Sequence, residues 1–116
     1  MTPLIPPEIM AELLANGAAS RDTSIDPQPV VKLFTPDASA TWLITEADPV
    51  DPDLLFGLCD LGMGFPELGY VRLSEIEAVR GALNLPPERD LYFKGAHPLS
   101  RYAAVAHHGG AIVSDF

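Results

Sequence analysis

From residue 30 onward the apolar side chains stop recurring every third or fourth position and begin to alternate, in bursts too short to be anything but strands. Val30 to Phe34, Thr41 to Glu46, Leu54 to Leu58 and Tyr70 to Leu73 each show this two-residue period. The breaks between them, Thr35-Pro36-Asp37, Ala47-Asp48-Pro49 and Gly62-Met63-Gly64-Phe65-Pro66, are turn sequences. They are too short for the crossover of a dozen or more residues that a parallel pair requires, so neighbouring strands must run antiparallel.

Helical patterns flank this block. Pro6-Pro7 followed by Glu8 to Gly17 predicts a helix with proline at its first positions, acids in its first turn and Asn16-Gly17 as its stop. Ser74-Glu75-Ile76-Glu77 has the form of a capping box and predicts a second helix ending near Asn84. Leu91-Tyr92-Phe93 reads as a fifth strand, and Pro98 to His108 as a third helix closed by Gly109-Gly110. The expected fold is therefore α+β, a small antiparallel sheet of four to five strands with two to three helices packed on one face. The 116 residues form a single domain. Within it, 1–17 is the N-terminal helix, 18–29 an exposed loop, 30–100 the sheet and helix core, and 101–116 a C-terminal extension.

Charge narrows the function. The formal net charge is −9, and no Lys or Arg lies between Lys32 and Arg72, where Asp37, Glu46, Asp48, Asp51, Asp53, Asp60 and Glu67 all fall. These acids are interleaved with Trp42, Leu43, Ile44, Leu54, Leu55, Phe56 and Phe65, so the stretch reads as a folded acidic surface and not as a disordered tail. Such a charge opposes direct contact with a nucleic-acid backbone or an anionic membrane. It favours a basic protein partner. The single Cys59 allows no internal disulfide, and neither a signal peptide nor a membrane-length apolar run is evident, which together point to the cytoplasm.

No catalytic motif stands out. Glu46, Asp48, Asp51 and Asp53 offer the oxygen ligands a hard cation needs, but their spacing is not that of an EF-hand loop, and a hairpin turn using Asp and Pro for their backbone habits explains them as well. His97, His107, His108 and Cys59 lack metal-site spacing. Ser74 and Ser100 lack a nucleophile elbow, and Ser74 reads as a helix cap. Arg89 reads as a structural cation within Glu88-Arg89-Asp90. Trp42 is either core or, on an outer face, an interaction hot spot. No cofactor is expected.

Taken in order, Lys32-Leu33-Phe34-Thr35-Pro36, Thr41-Trp42 with Thr45-Glu46 and Asp48, Phe56-Gly57-Leu58, Pro66-Glu67-Leu68-Gly69-Tyr70, Leu85-Pro86 with Glu88 to Phe93, and Pro98-Leu99-Ser100 form a recognisable series. It resembles a family of small acidic bacterial proteins classed as a conserved domain of unknown function, often carried on plasmids and other mobile elements. The resemblance spans about residues 4 to 100, leaving Arg101 to Phe116 outside it, and implies no activity. Two functions of different class follow. The first is a non-enzymatic acidic binding module whose contact residues are Asp37, Glu46, Asp48, Asp51, Asp53 and Glu67, with a nucleic-acid-mimicking inhibitor of a basic host defence or DNA-processing protein as its concrete form. The second is a metal-assisted hydrolase built on Glu46, Asp48, Asp51 and Asp53.

Overall fold

The computed structural model describes residues 3–116. Helix α1 (Pro7–Asp22) is followed by strands β1 (Val31–Phe34), β2 (Thr41–Ala47), β3 (Leu54–Asp60) and β4 (Glu67–Arg72), the short helix α2 (Leu73–Ala78), the two-residue strand β5 (Glu88–Arg89) and helix α3 (Leu99–Gly109). The strands form one sheet in the order β4-β3-β2-β1-β5 with every pair antiparallel, so the chain is α+β and the first four strands are a meander.

The helices divide between the two faces of the sheet instead of sharing one, because β1, β2 and β3 present apolar side chains in both directions. On one face Val31 and Leu33 lie across from Ile44 and Trp42, and this row packs with Leu13 of α1, Leu55 and Ile76. On the other face Leu43 and Leu58 are cross-strand partners and meet Leu99, Tyr102, Ala103 and Ala106 of α3. A central strand covered on both sides loses the strict polar alternation of a half-exposed one. Residues 101–109, assigned above to an extension, are thus the wall of the second core.

Three boundaries differ from the sequence expectation. Helix α1 runs through Asn16-Gly17 for a further turn and more, which shortens the 18–29 loop. A Cβ on Gly17 would lie 1.9 Å from the carbonyl oxygen of Ala47, so this glycine lets the helix touch the sheet backbone. Asn16 faces the same strand and donates from Nδ2 to the Thr45 carbonyl at 2.8 Å. Helix α2 ends at Ala78, where Val79 turns extended with ψ 136°, and Ser74 does not cap it. Arg72 precedes the helix, and its amide donates to Glu75 Oε1 at 3.2 Å. The fifth strand is Glu88–Arg89, paired to Phe34 and Leu33, while Leu91 to Phe93 form a turn in which Tyr92 is 94% exposed. Arg89 makes no ion pair among the described residues. Lys32 instead reaches Asp90 at 3.6 Å.

The sheet ends in the two-residue strand β5 on one side and in the six-residue strand β4 on the other. Strand β4 has β3 on one side only, and Leu68 and Tyr70 are 45% and 69% exposed on it. The turn before it adds exposed Leu61, Met63 and Phe65.

Candidate functional site

The β2–β3 turn shows how the acidic stretch folds. Asp48 Oδ1 accepts from the amides of Val50 at 2.8 Å and Asp51 at 3.1 Å, an Asx-type arrangement that turns the chain, and it also pairs with Arg21 of α1 at 3.1 Å. Asp51 pairs with Arg72 at 2.9 Å, and the same guanidinium lies 3.7 Å from Asp53. Arg72 therefore bridges two carboxylates and is the structural cation that the sequence suggested in Arg89. Asp53 binds both the amide and the hydroxyl of Ser74, at 2.9 and 2.8 Å, and so ties the β2–β3 turn to the start of α2. Ser74 is a tether for Asp53, not a cap. On the other side of the molecule Asp37 accepts from the amides of Leu83 and Leu85, at 2.8 and 3.2 Å, and anchors the segment after α2.

These contacts set the acidities. Asp48 is held low by the Val50 and Asp51 amides, which together with Arg21 outweigh the opposing effect of burial. The Ser74 hydroxyl is the largest influence holding Asp53 low, reinforced against burial by the Ser74 amide and Arg72. For Asp37, burial pushes upward, but amides including those of Leu85 and Leu83 outweigh it and leave the group below the ordinary value of 3.8. A carboxylate whose folded pKa lies below its unfolded one stabilises the fold above the unfolded pKa and loses that contribution as pH falls through the folded value. The melting temperature should therefore fall as pH drops below about 4. Asp53→Asn should melt lower than the parent at neutral pH and fall less steeply in acid. A parent melting temperature that stays level through the same range would show that these amides do not favour the ionised carboxylates.

Three of the four residues put forward as a cation site are thus turn and tether residues. Among the described residues no three His, Cys, Asp or Glu side chains gather as metal ligands. His97 lies elsewhere, stacked on the Phe116 ring with centroids 4.7 Å apart and bonded through Nε2 to the Phe116 backbone oxygen at 2.7 Å. His107 and His108 occupy the last turn of α3. Cys59 packs beside the first core, and burial pushes its thiol up to about 11, away from nucleophilic use.

Glu67 stands exposed at the start of β4. Glu46 is different from all the others. A β-bulge at Ile44/Glu46 rotates it off the face of Trp42 and Ile44, so that it pairs across to Phe56, and Phe56 pairs across to Tyr70. Burial raises the Glu46 carboxyl above its ordinary range, with only the Ser20 hydroxyl offsetting it. Two adjoining concavities, of about 180 and 330 Å³, share Ser20, Glu46 and Phe56 in their walls. Sequence reasoning put Glu46 forward as a contact residue but gave no such role to Phe56, Tyr70 or Ser20. The alternation of β3 and β4 was visible, yet only the bulged register brings these side chains into one row.

Fold and site together define a small α+β protein whose acidic stretch is folded through its own carboxylates and whose sheet has one open, apolar edge. The chain belongs to the family described as Protein of unknown function (DUF2958), whose model matches residues 4–113. The match includes α3, correcting the narrower limit near residue 100. No curated protein and no solved structure matches the chain.

Proposed function

We propose that this protein is a non-enzymatic binding module for a basic protein and that the partner docks along the open edge of β4. The observation that carries this reading is the exposed apolar strip formed by Leu61, Met63, Phe65, Leu68 and Tyr70, which runs from the β3–β4 turn onto an edge strand with unpaired backbone groups. Exposed apolar patches and free strand edges are where chains add to one another. The net charge of −9 selects a basic chain and opposes pairing between two copies.

A nucleic-acid-mimicking inhibitor carried by a mobile element is the narrower form of the same reading. Asp37, Asp48, Asp51 and Asp53 are engaged within the fold, so mimicry would rest on the overall field together with Glu46 and Glu67. The hydrolase alternative has no comparable support, since three of the four carboxylates it needs, Asp48, Asp51 and Asp53, are engaged by Arg21, Arg72, Ser74 and turn amides. No helix among the described residues is long and apolar enough to cross a membrane, and we place the module in the cytoplasm with its partner.

The test is affinity capture at low and at high salt with the parent and with a Leu68→Ser/Tyr70→Ser double variant. The expected partner is a basic protein retained by the parent near 0.1 M salt, lost as the Debye length falls from ~10 Å toward ~3 Å, and not retained by the variant. A partner held equally by both chains, or held equally at both salt concentrations, would overturn the reading.

A further inference from the structure

Glu46 is a partly buried carboxylate beside a concave surface, and no cation among the described residues pairs with it. The ion pairs among the described residues use Asp48, Asp51, Asp53 and Asp90. Arg21 lines the same hollow but is held by Asp48 at 3.1 Å. Ser20 is near, but its hydroxyl, which also reaches the Gly17 carbonyl at 2.9 Å, is neutral and supplies no positive charge. Desolvating an unpaired carboxylate is costly, and a fold that keeps one gains when a cation arrives.

The surroundings specify which cation. Directly paired residues on antiparallel strands stand about 5 Å apart on one face, so Glu46, Phe56 and Tyr70 form a continuous row across β2, β3 and β4. The Phe56 and Tyr70 rings meet edge to face with centroids 5.0 Å apart, and Tyr70 is 69% exposed. A carboxylate next to two aromatic rings suits a flat, delocalised cation that can stack on a ring while its forked N–H groups bind oxygen. An arginine side chain does this better than a compact, strongly hydrated ammonium.

Resting on the protein-binding reading above, we propose that the row Glu46, Phe56 and Tyr70 is a receptor for one arginine side chain of the partner, with Glu46 pairing with the guanidinium and the rings flanking it. An extended segment laid along β4 borders the Tyr70 end of this row, and the hollows beside Tyr70, Phe56 and Glu46 leave room for a long side chain to reach inward toward Glu46. Asp26, which lines the second hollow, does not compete, because both of its oxygens are taken by the amide and hydroxyl of Ser100.

The experiment is a titration of the isotope-labelled full chain with a short blocked peptide containing one arginine, and with the same peptide carrying citrulline, followed by amide and aromatic chemical shifts. The arginine peptide should give saturable shifts centred on Glu46, Phe56 and Tyr70. Citrulline, which keeps the shape without the charge, should give at least tenfold weaker binding. Glu46→Gln should lose the arginine preference while melting no lower than the parent, since it removes a desolvated charge. Saturation with arginine peptide should also bring the Glu46 carboxyl titration down, a response that a merely structural Glu46 would not show. Equal binding of the two peptides, shifts centred elsewhere, or undiminished binding by Glu46→Gln would each overturn the assignment. If the arginine peptide fails while a basic partner still requires Leu68 and Tyr70, the receptor falls and the binding module stands. Peptide binding at Glu46 with no basic partner at β4 would overturn this proposal too, because the pocket would then serve another ligand.

Discussion

Replacing Gly17 by alanine should destabilise this protein by about 3 kcal/mol or more, the upper range for forcing an extra carbon into a packed contact. Helix propensity alone makes the opposite forecast, because an interior Gly→Ala exchange favours a helix by about 1 kcal/mol. The contact decides the sign. The new Cβ would sit 1.9 Å from the Ala47 carbonyl, a backbone atom that cannot swing aside, and α1 would have to lift from β2. Lifting also strains the bond from Asn16 to the Thr45 carbonyl. For a chain of this size the loss corresponds to roughly 10 °C or more in melting temperature, read from circular dichroism melts. An alanine variant that melts higher than the parent would mean that α1 is not seated on β2 at this point.

Trp42→Ala should cost about 3–5 kcal/mol. Its side chain is 2% exposed, it lies across from Leu33 on one side and Cys59 on the other, and α1 covers it. Against a total stability of about 5–15 kcal/mol for a domain of this kind, that loss leaves a substantial unfolded fraction at physiological temperature. Denaturant titration should show a large drop in midpoint. A parent-like midpoint combined with lost partner binding would make Trp42 a contact residue and contradict its place in the core.

The strands were legible because a two-residue period survives in short bursts and because turn residues separate them. The antiparallel order followed from the brevity of those turns. Helix α3 was legible for the same kind of reason, down to its glycine stop, where Gly110 takes φ 80°. What failed to show was whatever depends on a distant partner. Asn16-Gly17 looks like a helix terminus until Ala47 and Thr45 are known to lie against it. Asp48 was readable as a turn residue, since the amides it binds are two and three residues away. Asp53 and Asp37 were not, because the groups they hold lie 21 to 48 residues further along. Glu46 was one acid among several until the bulge showed which face it occupies.

The open edge of β4 also governs how the molecule behaves in company. Edge strands are commonly guarded by lysine, proline or a twist that spoils pairing, but β4 reads Glu67-Leu68-Gly69-Tyr70-Val71-Arg72 and exposes Leu68 and Tyr70 between its charged ends. Its protection is colloidal, supplied by mutual repulsion among copies that all carry the same sign. That protection vanishes near the isoelectric point of about 4.5, before the acidic tethers, whose carboxyls are held below 3.8, begin to weaken. Handling this protein at mildly acidic pH therefore removes its guard against edge-to-edge stacking while the fold is still intact, and crowding it there would favour fibrous or amorphous precipitate over a clear solution.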